Sequence, residues 1–170
     1  MPELRVLGVD PGLTRTGWAL VTVDGGRYRL LGSGVVAPRA AGDLGARLAD
    51  GYRRFTAILA EYRPSLLVME DLFTAPRYPN AALKMAHLRG VLCLAAELSG
   101  VEVVSLTATT VKQRLTGNGH ASKEQVQRMV FQLCDVSGAK IPSDVSDAVA
   151  LAIAGLNQLS FAPERAGGRR

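Results

Sequence analysis

The chain reads as one α/β domain: a mixed sheet of five strands, three antiparallel strands coming first, with helices on both faces. Three observations predict it. Apolar, β-branched stretches joined by short turns open the chain between Leu4 and Val36. After Asp43 the apolar period lengthens to three or four residues, the mark of an amphipathic helix. Beyond Pro64, strand-like and helix-like stretches alternate. At 170 residues the chain fits one domain with its own core, needing neither disulfides nor a structural metal.

Each element has a local reason. Leu4 to Val9 is an apolar strand closed by Asp10-Pro11-Gly12. Gly17–Val23 and Tyr28–Val36 are strands joined by Asp24-Gly25-Gly26, a hairpin signal. Leu44, Leu48, Tyr52, Phe55, Leu59 and Tyr62 form one helical stripe, with Asp43 as N-cap and Pro64 as stop. Ser65–Met69 is a strand ending at Glu70, followed by a loop from Asp71 to Pro79. Ala81–Leu98 is a long apolar helix, Val101–Leu106 the fifth strand and Thr110–Leu115 a short helix. Ser122-x-x-Gln125 is a capping box opening the next helix. Ser143 caps the last helix, which runs to about Leu159. The expected division is a folded domain over 1–160 and a flexible basic tail over 161–170.

Composition excludes several classes. A chain 48% hydrophobic and 21% charged is not disordered. No apolar run approaches the roughly 20 residues that span a bilayer. The first residues lack the basic and apolar segments of a signal peptide. Cys93 and Cys134 lack metal-ligand spacing and read as reduced core residues, so a cytoplasmic protein is expected. The net charge of +5 suits a polyanionic partner.

Against that basic background, four carboxylates stand out. Asp10 ends the first strand and Glu70 the fourth; Asp144 and Asp147 share one face in the first turn of the last helix. Strand ends and a helix start can meet at one sheet edge, where α/β proteins bind ligands. Four carboxylates in one cleft repel and need cations. Hard oxygen donors without a His/Cys cluster favour Mg²⁺ or Mn²⁺ over Zn²⁺. Two such ions suit in-line phosphoryl displacement. Taken singly, Asp10 before Pro-Gly is also a turn former, and Asp144 and Asp147 also complement a helix dipole.

These residues fall in a longer pattern. Gly8-Val9-Asp10-Pro11-Gly12 with Thr16-Gly17, Glu70-Asp71-Leu72-Phe73, and Ala82-Leu83-Lys84 with Arg89-Gly90 come in order along the chain. They are followed by Val111-Lys112-Gln113, Gly117-x-Gly119, Lys123-x-Gln125-Val126-Gln127, and Asp144-x-x-Asp147-Ala148-x-Ala150-Leu151-Ala152. Together they resemble the RuvC family of bacterial Holliday junction resolvases, over about Leu7 to Ile153. The resemblance implies an RNase H-like fold and a homodimer that resolves four-way junctions in recombination and repair by paired symmetric nicks. It implies Mg²⁺-dependent hydrolysis, with two ions per site, leaving 5′-phosphate and 3′-hydroxyl ends. Asp10, Glu70, Asp144 and Asp147 would be the catalytic, metal-binding set. Asp10 would bridge both ions, Glu70 and Asp147 would complete their shells, and Asp144 would serve the nucleophile side. A branch-migration complex, a junction-binding protein with an AAA+ motor, is the implied partner.

For DNA contacts, Lys84, Arg89, Lys112, Arg114, Lys123 and Arg128 are candidates to neutralise phosphates, and the resemblance singles out Lys112 and Lys123. Phe73 either plugs the local core or stacks on an unpaired base, with Arg77 and Tyr78 beside it. The 81–98 helix carries more apolar surface than one face needs. That surplus is either a dimer seam or burial between neighbours. The alternatives are a ribonuclease acting on RNA–DNA hybrids, a non-catalytic junction-binding module, and a small actin-like ATP-binding domain.

Overall fold

The computed structural model describes residues 3–12, 14–37, 43–71, 79–134 and 141–161. Five strands, β1 (Arg5–Asp10), β2 (Thr16–Asp24), β3 (Arg27–Val36), β4 (Leu66–Glu70) and β5 (Glu102–Leu106), form one sheet. Its order is β3-β2-β1-β4-β5, which puts β1 at the centre. β1, β2 and β3 pair antiparallel, and β4 and β5 continue the sheet in parallel with β1. This is the mixed sheet expected. The hairpin turn has positive φ at both Gly25 and Gly26, the geometry that splices two twisted strands with two residues.

Five helices cover the two faces: α1 (Leu44–Tyr62), α2 (Pro79–Leu98), α3 (Ala108–Thr116), α4 (Lys123–Leu133) and α5 (Ser143–Phe161). Side chains alternate across the strands, so each strand feeds two cores. Leu7, Val9, Trp18, Leu20, Leu67 and Met69 pack on α1 and α2 through Phe55, Leu59, Leu88 and Leu92. Val6, Ala19, Val21, Leu66 and Val68 pack on α3, α4 and α5.

The caps show why the helices start where they do. Asp43 accepts a hydrogen bond from the Ala46 amide at 2.8 Å, and Ser122 and Gln125 close the capping box. One expectation is corrected. Ser143 lies inside α5 rather than capping it, because the Pro142 carbonyl accepts from the Ser146 amide at 3.0 Å. A prolyl carbonyl can open the helix as well as any other, and the serine one position later becomes its first residue. The C-terminal boundary also shifts: Phe161 belongs to α5, and residues 162–170 lie outside the described residues.

α2 answers the question of its surplus apolar surface in two parts. Leu88, Leu92, Ala95 and Ala96 are buried in the core. Leu83, Leu94 and Leu98 are exposed at 58, 54 and 68%.

Candidate active site

The site is built by the sheet edge and by one close approach. Val9 pairs with Met69 in parallel register, so the next residues, Asp10 and Glu70, leave adjacent strands at the same edge. α5 supplies the other two carboxylates. Its first turn lies almost against β2: a Cβ added at Gly17 would sit 2.1 Å from the Asp144 carbonyl oxygen. One turn further, a Cβ at Gly8 would sit 2.0 Å from the Ala148 carbonyl oxygen. Two glycines thus let the helix backbone touch the strands and bring Asp144 and Asp147 to the strand ends.

The electrostatics follow from this crowding. The Asp10 carboxyl is pushed from 3.8 up to about 7, first by burial, then by the negative charges of Asp147, Glu70 and Asp144. Glu70 is also raised, by burial and by Asp147, with Lys112 and Lys123 opposing. Two cations answer the α5 carboxylates. Lys123 Nζ donates to Asp147 Oδ2 at 2.8 Å, and Arg15 Nε donates to Asp144 Oδ2 at 2.9 Å. The hydrogen bond to Asp147 holds the Lys123 ammonium above its usual range.

Among the described residues no three acidic or imidazole and thiolate groups are drawn close enough to hold one ion in this arrangement. Each of the two α5 carboxylates meets a protein cation instead, Asp144 with Arg15 and Asp147 with Lys123. The donor set nevertheless fits a hard divalent cation. A half-buried carboxylate raised by three negative neighbours is the repulsion that such an ion relieves.

The other expected residues separate into groups. Lys112 and Lys123 line a cavity of about 260 Å³ with Glu70, Val111 and Asp147, beside the carboxylates. Lys84 is exposed on α2. Arg89 is turned inward along the β4–β5 edge: it donates to the Glu70 carbonyl at 3.4 Å and to the Ser105 hydroxyl. It therefore braces the strand end that carries Glu70. Arg114 links two helices: its Nη1 donates to the Ala154 carbonyl at 3.2 Å and to Gln158 at 2.9 Å, which ties α3 to α5. Phe73, Arg77 and Tyr78 lie outside the described residues.

Sequence reasoning missed Arg15 and the role of Gly8 and Gly17. The glycines carried a legible signal, one on each of two neighbouring apolar strands. Arg15 carried none, because its partner is 129 residues away.

The family profile described as Crossover junction endodeoxyribonuclease RuvC matches residues 6–155, a span that includes all four carboxylates. The chain belongs to the RuvC family. A RuvC of Neorickettsia sennetsu is 41% identical over 148 residues, covering 86% of this chain and 89% of that one. The Thermus thermophilus RuvC structure superposes with a TM-score of 0.86 at 32% identity, over 93% of this chain and 96% of that one. T. thermophilus RuvC in complex with a Holliday junction substrate superposes with a TM-score of 0.85 at 32% identity, over 92% and 94%. The expected RNase H-like fold is therefore that of the RuvC structures.

Proposed function

We propose that this chain is a crossover junction endodeoxyribonuclease that resolves four-way DNA junctions by hydrolysing phosphodiesters. One observation carries the reading: Asp10, Glu70, Asp144 and Asp147 meet at one sheet edge in a chain that superposes on a junction-bound RuvC along nine-tenths of its length. A purely DNA-binding module gains nothing from a negative cleft.

The four carboxylates would hold Mg²⁺, with Mn²⁺ as a substitute; two such ions would supply a water of lowered pKa and a counter-charge for the leaving 3′-oxygen. Asp10, which feels all three other carboxylates, would be the central residue of the set that holds the ions. Glu70 and Asp147 would complete the two shells, and Asp144 would hold the nucleophile side. Lys112, beside Glu70, and Lys123, beside Asp147, bring positive charge to the scissile phosphate. Hydrolysis leaves 5′-phosphate and 3′-hydroxyl ends.

Symmetric nicking needs two sites, and one chain supplies one, so a homodimer is proposed. Leu83, Gly90, Leu94 and Leu98 share one exposed face of α2, a surface suited to a second copy. Family membership supports a further reading, that the chain acts on DNA in the cytoplasm beside a branch-migration complex. No described helix is long and apolar enough to cross a membrane.

The test is incubation of purified protein with labelled four-way junction, linear duplex and RNA–DNA hybrid, with Mg²⁺ or EDTA. Paired symmetric nicks confined to the junction, present in Mg²⁺ and absent in EDTA, are expected, and Asp10→Asn should bind junctions without cutting them. Cutting of the hybrid, or wild-type cutting by Asp10→Asn, would refute the assignment.

A further inference from the structure

We propose that Arg15 is a positioning residue that exchanges partners: it holds Asp144 in the DNA-free protein and passes to a backbone phosphate of bound DNA, which frees Asp144 for a metal ion. The inference rests on the reading of the four carboxylates as a metal-dependent nuclease site, and adds the order in which that site assembles.

The contact is preorganised from both ends. Arg15 lies in the short connection between β1 and β2, where the Thr16 hydroxyl donates to the Gly12 carbonyl. A Cβ at Gly12 would sit 2.1 Å from the Arg15 carbonyl oxygen, so the backbones of Gly12 and Arg15 approach closely. Asp144 is fixed in turn by the backbone contact of α5 with Gly17, two residues beyond Arg15. The pair is nevertheless open to solvent, with the Arg15 side chain 54% and the Asp144 side chain 32% exposed.

This combination suits an exchange. A partly exposed ion pair is weak, so a competing anion can take the arginine at little cost. DNA offers that competitor at the rim of the site, and a guanidinium matches a phosphate with two parallel hydrogen bonds. The Lys123–Asp147 contact forms the second half of the same arrangement. With both cations seated on α5, no three acidic groups among the described residues gather around one point. Withdrawing Arg15 leaves Asp144 with an unanswered charge beside three other carboxylates, which raises the attraction for a divalent ion. By linkage, DNA then tightens metal binding and metal tightens DNA binding by the same factor. The site would load on its substrate rather than in free solution.

The test titrates Mn²⁺ calorimetrically into DNA-free wild type, Arg15→Ala, Arg15→Lys and Asp10→Asn. In parallel, junction affinity is measured against salt in EDTA for wild type and Arg15→Ala. Arg15→Ala should bind Mn²⁺ about two- to fivefold more tightly than wild type, the strength of a partly exposed ion pair. Arg15→Lys, which keeps the charge, should stay near wild type. The slope of log affinity against log salt should fall by about 0.9 in Arg15→Ala, one phosphate contact. Wild-type Mn²⁺ affinity in Arg15→Ala, or an unchanged salt slope, would overturn the exchange. Equal Mn²⁺ binding by wild type and Asp10→Asn would instead remove the nuclease reading on which the exchange rests.

Discussion

The two faces of the sheet are packed by opposite means. On the α1/α2 face, large side chains fill the gap: Leu7, Leu20, Trp18, Phe55 and Leu92 hold the helices away from the strands. On the α5 face the gap is closed by removing side chains. Gly8 and Gly17 lie under the helix, Gly155 faces Val68 and Val6 from the helix itself, and Ala148, Ala150, Ala152 and Ala154 are buried in the core of that face. A helix held off by leucines can shift by a fraction of an ångström without losing its core. A helix resting backbone on backbone cannot, because the contact has no flexible atoms. The chemistry sits on the rigid side. The N-terminus of α5 carries two of the four carboxylates, so the placement of the site is set by how closely that helix can approach.

This contrast can be broken most sharply at Gly8. Its added Cβ would lie 2.0 Å from the Ala148 carbonyl and 2.6 Å from the Ala152 amide nitrogen, both backbone. Gly8→Ala should cost more than about 4 kcal/mol, and any folded fraction should fail to cleave. Thermal melts and a junction assay on the soluble protein check both parts. Phe55→Ala, on the other face, should cost about 3–5 kcal/mol, while the cleavage rate per folded molecule stays near wild type at a permissive temperature.

A gain of stability is expected at Asp10. Between about pH 4 and pH 7 the folded protein keeps an Asp10 proton that the unfolded chain has lost. Stability of the metal-free protein therefore falls as pH rises through that window and stays low above it. Asp10→Asn removes the penalty, giving up to about 4 kcal/mol above pH 7 and nothing below pH 4. Melting in EDTA at the two ends of the range reads the difference, at about 2–4 °C per kcal/mol for a chain of this size. The smallest effect is expected at Gly51, buried in α1. An added Cβ there meets only the Leu88 Cδ1, at 3.2 Å, the far end of a flexible side chain. Gly51→Ala should fall between no change and a gain of about 1 kcal/mol, from its better helix propensity. Equal damage from Gly8→Ala and Gly51→Ala would erase the distinction between the two faces.

Much of this molecule is local and so could be read from the chain. The alternation of Val6-Leu7-Gly8-Val9, the Gly25-Gly26 turn, the Asp43 cap and the Ser122–Gln125 box each depend on residues a few positions apart. The positions of the four carboxylates were legible for a similar reason, since a strand end and a helix start are local facts. The partners of the basic residues were not legible. Arg114, read as a phosphate ligand, bonds the Ala154 carbonyl and Gln158 through Nη1, and Arg15, which the sequence did not single out, is bonded to Asp144. Which cation meets which anion depends on where helices 40 or 129 residues away come to rest, and sequence spacing carries no record of that. By itself the sequence determined the elements, their two apolar faces and the carboxylates at the strand ends and helix start. Only the tertiary structure decided the distance of α5 from the sheet, and with it the crowding of the carboxylates and the cations that answer them.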